Sequence, residues 1–184
     1  MARRRKGDLD GAISDYDRTV ELDPKYAIAY LNRGNARDDK GDLEGAMADY
    51  DRGIELNPKN SKAYYSRAGV HAKKKEYDAA VADSWRALEL DPKNGDYYLS
   101  LGWYQLFNRK PREAIAAFLK ALELSPSDAI VVKTNLAHGY TARSRQLPTT
   151  GKTHRFASSL NRPKAAGNLL ASTTLMNKRA NARQ

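Results

Sequence analysis

Three histidines, His71, His138 and His154, are the first side chains in this sequence to weigh as chemistry. Imidazole binds metals and moves protons near neutral pH, but a zinc site needs its ligands at characteristic short spacings. No two of the three are so spaced, so they read as surface or packing residues and no metal is expected. The absence of Cys removes disulfides, thiolate metal sites and cysteine nucleophiles. The tetrapeptide Asp-Tyr-Asp-Arg occurs twice, at Asp15–Arg18 and Asp49–Arg52. Neighbouring carboxylates serve acid–base catalysis in some sites. On a helix they form a solvated charged face with local ion pairs, and that is the expectation here. Gly151-Lys152-Thr153 ends like a phosphate-binding loop, yet Gln146 stands where that motif needs its other glycine, and no strand precedes it. The chain offers no catalytic constellation, so neither enzymatic activity nor a cofactor is expected.

Charge is distributed unevenly. The formal net charge is +10, but all 22 acidic residues lie at or before Asp128. Beyond it come ten basic residues and no acid, so residues 1–128 are neutral as a group. The two stretches call for separate explanations. The opening Met-Ala-Arg-Arg-Arg-Lys-Gly-Asp is not followed by an apolar run, so no secretory signal is expected. No stretch is apolar enough to span a bilayer, and a cytoplasmic protein is the expectation.

The elements that would position any site repeat along the chain. Ala2–Lys25 reads ARRRKGDLDGAISDYDRTVELDPK and Ala36–Lys59 reads ARDDKGDLEGAMADYDRGIELNPK, an offset of 34 residues. Pro24, Pro58, Pro92 and Pro126 keep that period, as do Ala12, Ala46, Ala80 and Ala114. Residues 28–39 and 44–56 each place apolar or small residues three and four apart, the pattern of an amphipathic helix. Small residues at Gly34, Ala46 and Gly53 predict close helix–helix approach, where larger side chains would overpack by about 1–3 kcal/mol. Gly41 suits the turn between the helices. Pro58 ends the second helix, Asn57 and Asp91 before prolines are biased out of the helical region, and Pro111 fits a first helical turn.

Three full units follow, at 27–60, 61–94 and 95–128, each with an early aromatic (Tyr30, Tyr64, Tyr98) and a small residue four later (Gly34, Ala68, Gly102). With the period of 34 and the closing prolines, this resembles the tetratricopeptide repeat, a helix–turn–helix unit. The resemblance implies an all-α, right-handed superhelical solenoid of antiparallel helix pairs over residues 1–142, with partial repeats at 1–26 and 129–142. It also implies a protein-binding scaffold whose first helices line a concave groove for a segment of another protein. Short polar side chains at regular rise suit an extended peptide backbone. Asn32, Ser66, Ser100 and Asn135 form such a row, flanked by Asn35 and Tyr65. Leu99, Trp103 and Phe107 lie four apart, an apolar stripe that either anchors the partner or packs between first helices. Relatives that clamp acidic chaperone tails carry Lys, Arg and Asn where this chain has Leu31, Asn35, Ser66, Asp96 and Ser100. Only Asn35 fits, so that partner class is not expected.

Both ends depart from the pattern. The sequence opens within a first helix, so the second helix at about 8–22 lacks its hairpin partner; its open face could belong to a longer array or pair with another chain. After Ala142 the repeat stops. Residues 143–184 form a basic tail too poor in apolar side chains to offset its ordering entropy, apart from a short helix expected around residues 165–176. The joint loss of acids and repeat is what a reading-frame change would produce. The alternative function is non-specific nucleic-acid binding by this tail through phosphate contacts, with the repeats as adaptor.

Overall fold

Helix caps and turns recur at the sequence period. In the computed structural model, residues 8–125 and 129–146 are described, and they contain eight helices and no strand. The helices are α1 (Leu9–Leu22), α2 (Ala27–Lys40), α3 (Leu43–Leu56), α4 (Ser61–Lys73), α5 (Tyr77–Leu90), α6 (Gly95–Phe107), α7 (Pro111–Leu124) and α8 (Ala129–Gln146). Asp8 and Asp42 cap α1 and α3 by accepting from the Gly11 and Gly45 amides, and Asn60 and Asn94 cap α4 and α6. Each satisfies one otherwise unpaired N–H of a first turn. Asp23, Asn57, Asp91 and Ser125 close α1, α3, α5 and α7 with backbone outside the helical region. Pro111 opens α7. Between paired helices the chain needs a left-handed residue, supplied by Gly41 (φ 89°), Lys75 (φ 63°) and Arg109 (φ 59°).

These pieces stack as an all-α solenoid of helix pairs, α2 with α3, α4 with α5 and α6 with α7, each pair packing on the next. The chain divides into two units after Ser144. Side-chain size sets the hairpin spacing. A Cβ on Gly34 would lie 2.7 Å from the Tyr50 ring, and one on Gly102 would run into Phe118. In the middle unit the corresponding positions are Ala68 and Ser84, both fully buried. Glycine stands where the facing position carries an aromatic ring, and alanine where it carries the small Ser84. Gly53 also lies at a close approach, with room for one methyl group. A Cβ there would stand 3.6 Å from the Ala27 carbonyl, an ordinary contact, so alanine fits, as buried Ala87 and Ala121 show one and two periods on.

Three apolar clusters fill the stack. One gathers Leu31, Ala46, Tyr50, Ala63 and Val70, the next Tyr64, Leu88, Tyr97 and Leu101, the third Ile115, Phe118, Val132 and Leu136. Ile54 packs on the first and second, Tyr98 on the second and third, so the core is continuous.

Candidate functional site

The Asp-Tyr-Asp-Arg tetrapeptide in α3 corrects the sequence reading. Asp49 is not solvated but 2% exposed. Arg33 of α2 grips it through two nitrogens, at 2.9 and 2.5 Å, and Arg37 adds a third bond at 2.8 Å. Arg33 also reaches back to Asp17 of the preceding helix at 2.7 Å. One unit later Arg67 bonds Asp83 twice at 2.7 Å and reaches back to Asp51 at 2.7 Å. Hydrogen bonding to Asp83 holds the Arg67 guanidinium above its already high ordinary value, and Asp49 does the same for Arg33. A buried carboxylate is tolerated when paired and fully hydrogen-bonded. Asp49 and Asp83 clamp the two helices of their own hairpins, and Asp17 and Asp51 tie the same arginines to the preceding unit.

The face formed by the first helices α2, α4, α6 and α8 carries the residues expected to bind a peptide, and several already bond each other. Asn35 Oδ1 accepts from the Tyr50 hydroxyl at 2.9 Å and from Ser66 at 3.2 Å. The Tyr65 and Ser100 hydroxyls lie 3.2 Å apart, and Tyr65 stacks on Tyr97 at 4.7 Å. Asn135 is 6% exposed, inside the stack rather than on an open surface. Asn32 is half-buried and lines a separate groove with residues of α1. The row therefore does not stand as four free polar groups; its middle members also tie first helices together. Leu99 and Trp103 pack against the third cluster, Trp103 meeting the Phe118 ring edge-on at 5.8 Å. Phe107 is 54% exposed, stacked between Trp103 at 5.7 Å and Tyr77 at 5.5 Å. Tyr77 belongs to a second helix, so the four-residue spacing in α6 gave no sign of it. His138 extends the aromatic run, its ring 5.7 Å from Trp103.

Among the described residues no three His, Asp or Glu side chains gather as a metal site. Nor is any described helix long and apolar enough to cross a membrane. The tail beyond Gln146, including the helix expected near 165–176 and the nucleic-acid-binding alternative, lies outside the described residues; α8 itself runs four residues past the expected end of the array.

Stacked helix pairs at a constant 34-residue period, sealed by glycine–aromatic contacts, define a helical-repeat protein. The chain belongs to the tetratricopeptide-repeat family, whose sequence profiles match residues 1–61, 49–82 and 85–116. A crystal structure of MamA is similar at TM-score 0.72 and 26% identity, over 77% of this chain and 82% of that one. The first tetratricopeptide-repeat domain of Spaghetti (RPAP3), bound to the HSP90 peptide SRMEEVD, superposes at TM-score 0.62 with 23% identity, over 64% and 93% of the two chains. The TPR2B domain of yeast Sti1 in its pHsp70 complex gives TM-score 0.60 with 22% identity, over 62% and 96%. No curated protein matches the sequence.

Proposed function

We propose that this protein is a non-catalytic scaffold whose first-helix face, over residues 1–142, binds a segment of a partner protein. The observation that carries the reading is Phe107, an exposed aromatic held in place between Tyr77 and Trp103. Preorganised aromatic anchors of this kind dominate binding energies. Fold likeness supports it, since the RPAP3 and Sti1 domains are solenoids with HSP90 and Hsp70 partners in their structures. The acidic tail of the RPAP3 complex does not suit this face. Leu31 is buried, Asn35 is bonded to Tyr50 and Ser66, and Asp96 adds an exposed acid. With Phe107 as the anchor and Asp96 as an exposed acid, this face fits a segment with apolar side chains rather than an acidic one.

The test uses the full chain as bait and two variants. Phe107→Ala should weaken capture of the best partner by about 2 kcal/mol while leaving the thermal midpoint nearly unchanged. Trp103→Ala, which strips an edge contact from the core, should lower stability by about 2–3 kcal/mol. Undiminished partner capture by Phe107→Ala would remove this face from the function.

A further inference from the structure

One register of the second helices stays exposed in every unit. Asp17, Asp51, Trp85 and Leu119 are one period apart. The side chains of the two acids are 45% and 50% exposed, and Trp85 and Leu119 are 47% and 48% exposed. Trp85 is followed by a unit described in full, α6 with α7, so its exposure belongs to the register and not to an end of the array. Asp17 and Asp51 use the position to reach Arg33 and Arg67 of the next unit. In α5 and α7 the same position carries large apolar side chains in water, each preceded three residues earlier by an exposed alanine, Ala82 or Ala116. Large apolar groups beside small ones, on two consecutive helices, make a surface that another helix pair can approach closely.

Charge says which partner fits. One turn further toward the helix N-terminus, α5 carries Asp78 and α7 carries Arg112, again one period apart and both exposed. Asp78 Oδ1 accepts from Asn108 at 2.7 Å and lies 3.5 Å from Lys110, and the Asp78 side chain remains 85% exposed. Arg112 has no acid three or four residues away and no ion pair among the described residues. Toward the other end, Glu89 and Glu123 are each paired within their own helix, to Arg86 at 2.5 Å and to Lys120 at 2.9 Å. The surface is therefore apolar in the middle, neutralised at one end, and of opposite sign on its two helices at the other.

α5 and α7 run in the same direction one unit apart. A two-fold axis lying between them and parallel to them lays α5 of each copy on α7 of the other, level with level. We propose that this outer face is an isologous interface between two copies of the chain, Trp85 on the partner's Leu119 and Asp78 on the partner's Arg112. Each contact then occurs twice, and the exposed tryptophan is the anchor. The face is separate from the first-helix face around Phe107, so either reading can fail without the other.

Sedimentation velocity of the full chain between about 1 and 100 µM should show a dimer that grows with concentration. Asp78→Arg sets arginine against arginine at both symmetry-related contacts, and Arg112→Asp sets acid against acid. Either variant alone should dimerise at least about tenfold more weakly. Mixed in equal amounts, the two variants regain both opposite-charge contacts and should dimerise again as a heterodimer. Trp85→Ser and Leu119→Ser should each weaken the dimer, with circular dichroism confirming that every variant keeps its helices. A chain that stays monomeric throughout overturns the proposal. So does a dimer indifferent to the charge reversals, or folded variants that the mixture does not rescue, because the copies would then meet through another surface.

Discussion

Three residue positions change together along the array, and their chemistry explains why. Arg33, Arg67 and Leu101 are one period apart; the arginines bond Asp49 and Asp83 in their own hairpins and Asp17 and Asp51 in the preceding ones, and the positions that correspond to these acids in the third set are Ala117 and Trp85. The first two sets are ionic clamps. In the third, arginine and both acids give way to apolar residues, with Leu101 fully buried. A lone charge left in such a site is costly, whereas an apolar replacement of the whole group is not. Gln105, at the place of Arg37 and His71, remains there with a buried Oε1 that finds no hydrogen-bond partner among the described residues. Arg67→Leu should therefore cost about 3 kcal/mol in urea unfolding, because Asp83 is 8% exposed and keeps only His71 nearby, at 3.8 Å. Adding Asp83→Ala, which recreates the Leu101–Ala117 pairing, should recover most of the loss. A double variant as unstable as the single one would show that the clamp contributes by more than charge pairing.

At the scale of elements, the turn within each hairpin imposes one backbone geometry on three different residues. Gly41 adopts it at no steric cost, but Lys75 and Arg109 bring a Cβ into the left-handed region. Lys75→Gly should stabilise the protein by about 1 kcal/mol, less the entropy that glycine adds to the unfolded chain. A drop in the thermal midpoint would mean that the Lys75 side chain outweighs the strain. Adjacent units are also pinned where these turns begin. Lys40 bonds Asp10, Lys74 bonds Glu44 and Asn108 bonds Asp78, again at the repeat period. These bonds are solvent-exposed, so they set register more than stability.

Across the whole molecule, stability accumulates unit by unit through nearest-neighbour contacts, and buried tyrosines sit in those contacts. Burial pushes the Tyr104 hydroxyl up to about 12 from its ordinary 10.0, and raises Tyr50 and Tyr97 as well. In the unfolded chain tyrosine ionises near its ordinary value. Above about pH 10 the unfolded state has therefore lost protons that the folded state still holds. Stability is then unaffected by these groups below that pH and declines as pH rises toward 12. Thermal melts from pH 9 to about 12 should show the decline, and Tyr104→Phe should make it shallower. Equal slopes for variant and parent would exclude Tyr104 from the effect.

The sequence alone determined the helices, because both helix formation and its interruption are local. Proline beyond the first turn, with the residue before it, stops a helix, and the recurrence of small residues every 34 positions reported which faces come close. The helices expected over 28–39 and 44–56 are α2 and α3, within a residue of those bounds. Side chains that meet across the stack were decided elsewhere. Asp49 reads as a surface acid from its own helix and becomes buried only because Arg33 and Arg37 arrive from another. Ser66 and Ser100 are evenly spaced polar groups in the sequence; only the stacking of neighbouring first helices shows them bonded to Asn35 and Tyr65. Phe107 and Trp103, one helical turn apart, separate into an exposed ring and a packed one because Tyr77 and Phe118 come from different second helices. Local propensity carries no information about those encounters, which depend on how the volumes of several helices fit together.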